Sequence, residues 1–217
     1  DNHTYYCEVG VAQFTPPEIQ NAKDFRQIRT ANQDNFGLAI LIFLLLFMGR
    51  HPFAGVYSGK EDMPIERAIS EYRFAFSRNA AKKRMAPPPD SVGPQIVPAD
   101  LAALFEESFS ENAAKLQSRP PAGDWWKALD TLEKRMRICP ADPAHRYYSG
   151  LQACPWCRLE RTSGIRFFIS PDAAYRSDIG NAWKRVEQIP APGPLPRVSP
   201  DDYSCTAQPF PYGVEKA

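Results

Sequence analysis

Hydrophobicity is concentrated in one run: every residue from Phe36 to Met48 is apolar. Thirteen residues fall short of the roughly 20 that span a bilayer, so the run predicts a buried core helix. That helix is expected from about Asp34, as a possible N-cap, to Met48, with Gly49 closing it. Before it, residues 1–15 read as extended or irregular and stop at Pro16 and Pro17. Pro64 starts a second helix through about Phe76, placing Ile65, Ile69, Tyr72 and Phe76 on one face. A third covers roughly residues 99–109, with Leu101, Leu104, Phe105 and Ser108 in step. A fourth runs from Ala122 to about Arg137, with Trp125, Trp126, Leu129 and Leu132 apolar. Between the second and third lies a basic and then proline-rich connection, RNAAKKRMAPPP. No period-2 pattern supports a strand before Ile138. After it, residues 164–169 read as a strand, 178–188 as a short helix, and Pro190 onward as an extended linker.

Composition changes this picture little. With 43% hydrophobic and 24% charged residues the 217-residue chain is ordinary globular material. A net charge of +1 argues against a surface devoted to nucleic acid or membrane. The 22 prolines are about twice the usual share of roughly 5% and mark loops and linkers. The chain shows no initiator Met and no secretory signal.

Cysteine usage is more specific. Five is an odd number, and three of the five cluster with one histidine as Cys139-x5-His145-x8-Cys154-x2-Cys157. Zn²⁺ takes four N/S ligands in a tetrahedron, and C-x2-C lets two thiolates share one ion. Pro155 and Trp156 between them favour a rigid knuckle. A closed Cys₃His set leaves no open position, which points to a structural rather than a catalytic ion. Free buried thiols and a disulfide or redox pair are the other readings. A metal site implies a reducing compartment, the cytoplasm. Cys7 and Cys205 read as unpaired, and His3 and His51 as loop or capping residues rather than bases. The basic run Arg78, Lys82, Lys83 and Arg84 is either a solvated loop or a contact for phosphates.

Two short stretches carry a resemblance. EVGVAQFTPPE, Glu8 to Glu18, resembles the end of a protein-kinase activation segment, G-T-x-x-Y-x-A-P-E. RPPAGDW, from Arg119, resembles the R-P-T-A-x-E before the last helix of the kinase C-lobe. Gly10, Phe14, Pro17 and Glu18 fall on the Gly, aromatic, Pro and Glu of the first motif. Asp34, Phe36 and the apolar run resemble the D-x-W-S-x-G opening of helix F, and GRHPF, from Gly49, its G-x-x-P-F end. Order and spacing together identify a likeness to bacterial eukaryotic-type Ser/Thr kinases, above all the YegI-like family, in which a kinase-like domain can be joined to helix-hairpin-helix DNA-binding modules. That family also carries a similar CPWC element after its kinase-like domain.

The resemblance implies a mainly α fold: a kinase C-lobe fragment (helices F to I) over residues 1–137, a zinc knuckle over 138–170, and a short helix with a proline-rich tail over 171–217. It implies a buried Glu18–Arg119 ion pair fastening the activation segment, and Asp34 as the helix-F anchor for the catalytic loop. Gly10, Val11 and Phe14 would form the substrate-facing segment. Val11 stands where active Ser/Thr kinases carry a Thr, and Ala39 replaces the helix-F Gly. The Gly loop, strand lysine, catalytic Asp and Asn and metal-binding Asp of the family are absent from the sequence, so no catalytic residue is assigned. ATP and Mg²⁺ then belong to a full-length parent, and the partners implied are the N-lobe with its catalytic loop, an unidentified protein substrate, and DNA through other domains, with no membrane. The parent is either a Ser/Thr kinase or a pseudokinase scaffold; a free-standing zinc-dependent interaction module is the third reading.

Overall fold

In the computed structural model, residues 10–20, 22 and 30–164 are described. Among the described residues six α-helices and four short strands follow in order: α1 (Ala31–Leu46), β1 (Val56–Tyr57), α2 (Ile65–Ser70), β2 (Met85–Ala86), α3 (Ala99–Ser108), α4 (Glu111–Leu116), α5 (Ala122–Lys134), β3 (Met136–Ile138), β4 (Arg146–Tyr148) and α6 (Pro155–Ser163). The chain divides into two compact units, Asp1–Met136 and Arg137–Ala217.

The apolar run forms α1, but the helix starts before Asp34. Thr30 is its N-cap, and the Gln33 side chain reaches back to accept from the Thr30 N–H at 2.6 Å, closing a capping box. Asp34 instead sits exposed in the first turn, where a carboxylate favours the helix dipole. Met48 and Gly49 take left-handed backbone angles (φ 58° and 71°) and stop the helix. Phe36, Ala39, Ile40 and Phe43 are wholly buried. The helix is not buried all round, however. Leu41, Leu45 and Met48 are 50%, 85% and 40% exposed, and Leu38 is half-buried beside them. At spacings of three and four these residues form one apolar stripe.

The core of the first unit is aromatic. Phe43 meets Phe105 edge to face at 5.1 Å between centroids, Phe36 meets Phe109 at 5.6 Å, and Phe105 meets Trp125 at 4.8 Å. Such pairs contribute roughly 0.5–1.5 kcal/mol each beyond area burial. Helix α3 supplies Leu101, Phe105 and Ser108 to this core and packs against α1, α4 and α5. On α5 only Trp125 and Leu132 are buried, while Trp126 is 68% exposed.

Helix α2 is shorter than expected, ending at Ser70, because Tyr72 turns left-handed (φ 52°) and Phe74 and Phe76 enter the core from a loop. β1 and β2 pair antiparallel, Val56 with Ala86 and Tyr57 with Met85. Two residues a side are too few for an alternating pattern to register in sequence. The approach is so close that a Cβ on Gly55 would lie 2.7 Å from the Ala86 carbonyl oxygen.

In the second unit β3 and β4 form a two-stranded sheet, and Pro155 at the first helical position starts α6. Of the strand expected at 164–169 only Gly164 is described, as the left-handed C-cap of α6 (φ 69°). The remainder of that strand, the helix at 178–188, the proline-rich tail, His3, Cys7 and Cys205 lie outside the described residues.

Candidate functional site

Two constellations stand out, one in each unit. In the first, Pro16 and Pro17 steer the chain into a 3₁₀ turn, Pro17–Ile19, which buries Ile19 and presents Glu18 to Arg119. Arg119 Nη1 donates to Glu18 Oε1 at 2.5 Å and Nη2 to Oε2 at 2.8 Å. The arrangement is bidentate, and the Arg119 side chain is fully buried. Its Nε donates to the Ser108 carbonyl (3.0 Å), and Nη1 also donates to the Asn32 carbonyl (3.1 Å). The Arg119 N–H is taken by Asn32 Oδ1 at 2.8 Å, and the guanidinium lies 5.1 Å from the Phe36 ring centre. Neither Asn32 nor Ser108 is distinctive in sequence; both were missed.

The segment before Glu18 is held by side chains to backbone. Gln20 Nε2 donates to the carbonyls of Ala12 (2.7 Å) and Thr15 (2.6 Å), and Thr15 Oγ1 to that of Val11 (3.0 Å). His51 Nδ1 accepts from the Phe53 N–H at 3.2 Å, which leaves Nε2 as the donor to the Gln13 carbonyl at 3.0 Å. Burial pulls the His51 imidazole below its ordinary value, outweighing the Gln13 hydrogen bond and the charge of Glu66. His51 is thus a neutral strut. Gly10 and Val11 are exposed and Phe14 is half-buried. Asp34 is placed apart from Glu18 in role, on the first turn of α1.

The second constellation is the Cys/His cluster. Cys139 follows β3, His145 precedes β4, and the two are locked by the Cys139 N–H donating to the His145 carbonyl at 2.9 Å. Cys154 caps α6 and Cys157 lies in its first turn. The structure brings all four ligand atoms within 4.8 Å of one another. Cys139 Sγ is 3.6 Å from Cys157 Sγ, and His145 Nδ1 is 3.3 Å from Cys157 Sγ and 3.7 Å from Cys154 Sγ. A tetrahedron with Zn–S bonds of about 2.3 Å and a Zn–N bond of about 2.0–2.1 Å has edges of roughly 3.5–3.8 Å. The donors therefore stand at metal-binding separations. The three thiols are free of disulfides.

Their acidities diverge. Burial raises the Cys157 thiol to about 12, with Cys139 and Cys154 adding to the effect, and burial likewise raises Cys154. For Cys139 burial is outweighed by N–H groups of Ala141 and Asp142 and by the neighbouring thiols, bringing it down to about 7. A metal ion bound here would take all three as thiolates and release their protons.

Sequence reasoning missed Glu160. It lies three residues after Cys157 on α6, so the two share a face, and its Oε2 is 3.2 Å from His145 Nε2. His145 thus turns Nδ1 to the thiols and Nε2 to a carboxylate that is only 12% exposed. Asp142, whose Oδ1 accepts from the Ala144 N–H at 2.9 Å, shapes the turn before His145. Trp156 is anchored by its Nε1 donating to the Arg146 carbonyl at 2.7 Å. Phe167 and Phe168, within the strand expected at 164–169, lie outside the described residues.

With this geometry in view, the chain was compared with known proteins. No family model matches it. Over 217 residues it is 36% identical to protein kinase YegI of Escherichia coli O157:H7, covering 97% of this chain and 33% of that protein. The same figures hold for protein kinase YegI of Escherichia coli strain K12. Over nearly its whole length the chain is thus similar to a part of protein kinase YegI. It spans about a third of the length of these curated relatives. Among the described residues no helix is long and apolar enough to cross a membrane.

Proposed function

We propose that the chain is the C-lobe portion of a Ser/Thr protein-kinase-like protein, followed by a structural zinc knuckle. The observation that carries this reading is the bidentate Glu18–Arg119 pair, which joins residues 101 apart in sequence and seats the segment from Gly10 to Pro17. In this reading the lobe contributes no group to phosphoryl transfer. It holds the activation segment in place for a catalytic loop supplied by the rest of a larger protein, and Asp34 on the exposed first turn of α1 is the anchor for that loop. ATP and Mg²⁺ are bound elsewhere in the parent.

Zn²⁺, held by Cys139, His145, Cys154 and Cys157, supplies structural charge compensation to the second unit. The Glu160 carboxylate, 3.2 Å from His145 Nε2, would draw the ring proton to that nitrogen and leave Nδ1 for the ion. The ion fits the donors present, and thiolate ligation suits a reducing compartment.

A pseudokinase scaffold is the second reading, and Val11 favours it. Its aliphatic side chain is 64% exposed and can donate no hydrogen bond to a catalytic carboxylate.

Calorimetry separates these readings. The 217-residue chain titrated with Mg-ATP is expected to give no binding heat, whereas the protein extended to the full length of its relatives binds Mg-ATP and phosphorylates protein. Micromolar Mg-ATP affinity in the chain alone would overturn the assignment. An extended protein that binds partners but transfers no phosphate would select the scaffold.

A further inference from the structure

The basic run that neither constellation uses folds into a cleft. A cavity of about 280 Å³ is lined by Tyr57, Glu71, Arg73, Lys82, Lys83 and Arg84. Four cations face one carboxylate there, and that carboxylate is already committed: Glu71 accepts from Arg67 Nε at 2.8 Å and from Arg73 Nε. Part of the cluster is structural. Arg73 Nη1 donates to the Lys83 carbonyl, and Lys83 Nζ donates to the Tyr72 carbonyl at 2.8 Å, which ties the 3₁₀ turn Ala80–Lys83 to the end of α2. The guanidinium of Arg73 also lies 5.1 Å from the Tyr57 ring centre, which gives the cleft one rigid aromatic wall.

Lys82 and Arg84 differ. They line the same cavity, and their side chains have no ionic or hydrogen-bonding partner among the described residues. Arg84 sits in the left-handed region (φ 58°), and its carbonyl is pinned by the Ser58 N–H at 3.0 Å. A bulky residue in that conformation is held there by its surroundings. Burial lowers the Lys83 ammonium from its usual value and the charge of Arg73 adds to this, against the opposing charges of Glu111 and Glu71.

We propose that this cleft binds the phosphoryl group of a phosphorylated protein segment. A phosphomonoester carries nearly two negative charges and three acceptor oxygens, which matches the surplus of donors better than a single carboxylate does. The cavity lies just under the roughly 300–1,000 Å³ of small-molecule sites, room for one phosphorylated side chain and its neighbour. A nucleic-acid strand needs a basic track rather than one pocket, and the chain's net charge is only +1. Lys82 and Arg84 would reach the phosphoryl oxygens, while Arg73 and Lys83 supply fixed positive potential behind them.

The test uses the full 217-residue chain and an end-capped phosphoserine tripeptide, followed by ³¹P chemical shift and calorimetry. Saturable binding is expected, weakening with ionic strength, and absent for the unphosphorylated tripeptide. Lys82→Glu and Arg84→Asn should each reduce affinity roughly tenfold or more, since each removes a charge-assisted hydrogen bond. Asn tolerates the left-handed backbone, and neither side chain belongs to the ion-pair network, so far-UV circular dichroism should be unchanged. Equal binding of the unphosphorylated peptide, or variants that bind as well as the parent, would overturn the proposal. Inorganic phosphate binding as tightly as the tripeptide would overturn the protein-borne ligand. So would a single-stranded oligonucleotide that binds more tightly and is released by the same substitutions.

Discussion

At the scale of single residues, Arg119 and His51 do most to hold the segment before α1. Arg119 meets a carboxylate, two carbonyls and a ring in one buried position. Replacing it by Ala strands two buried carbonyl acceptors and frees Glu18, whose side chain is 23% exposed, to water, so a loss of about 2–4 kcal/mol is expected from the urea midpoint. Lys, a point charge without the planar fork, should recover only a minor part. A loss below about 1 kcal/mol for either variant would show that the pair is not a structural fastener. His51 adds a pH dependence. Burial lowers its native pKa, so from about 6.5 down to that lower value the unfolded chain takes up the proton and the native one does not. Stability should therefore be whole above that pH and decline as pH falls through the window down to the native value. In His51→Gln the decline should be shallower over pH 7.5 to 5. Identical slopes would remove the titration from His51. Glu160 works through its neighbour: Glu160→Gln should lower zinc affinity about 10–100-fold in a chelator competition while leaving α6 folded. Unchanged affinity would leave the 3.2 Å contact without a role in ligation.

Among the elements, α6 and the β3–β4 sheet are the ones that carry the Cys/His cluster and that burial holds least. Residues 137–164 bury few large side chains, chiefly Tyr147 and Trp156. Metal ligation should then supply much of their stability. Chelation, or Cys154→Ser, is expected to accelerate hydrogen exchange across β3, β4 and α6 while exchange in α1 and α3 stays slow. Protection retained in α6 after zinc removal would contradict this. The same contrast explains what could be read from sequence. Helices α1, α3 and α5 were legible because long runs of apolar residues recur at helical spacing. The β1–β2 pair and helix α4 were not, being two and six residues long and fixed by contacts such as Gly55 against Ala86. Thr30 was overlooked as the cap of α1 because the partner that identifies it, Gln33, is an ordinary polar residue until the turn forms. Cys and His ligands announce themselves by type and spacing. Glu160, Asn32 and Ser108 are common residues whose roles arise only where the fold sets them.

For the whole molecule, the stripe of Leu38, Leu41, Leu45 and Met48 is the surface that a soluble single copy would be expected to cover. Self-association is expected by sedimentation at micromolar concentration, together with binding of a hydrophobic dye, and Leu45→Glu should reduce both. A monomer that binds no dye would show the stripe to be tolerated in water. The Glu18–Arg119 contact has a different consequence at this scale, for the order of events in folding. It closes a ring of about a hundred residues, which costs roughly 4 kcal/mol of chain entropy before any return. The receptor for Glu18, made from α1, α3 and the chain at Arg119, has to be assembled before that closure is worthwhile. The segment from Gly10 to Gln20 therefore docks last and departs first, so a protease acting under native conditions should find it before any bond within the aromatic core.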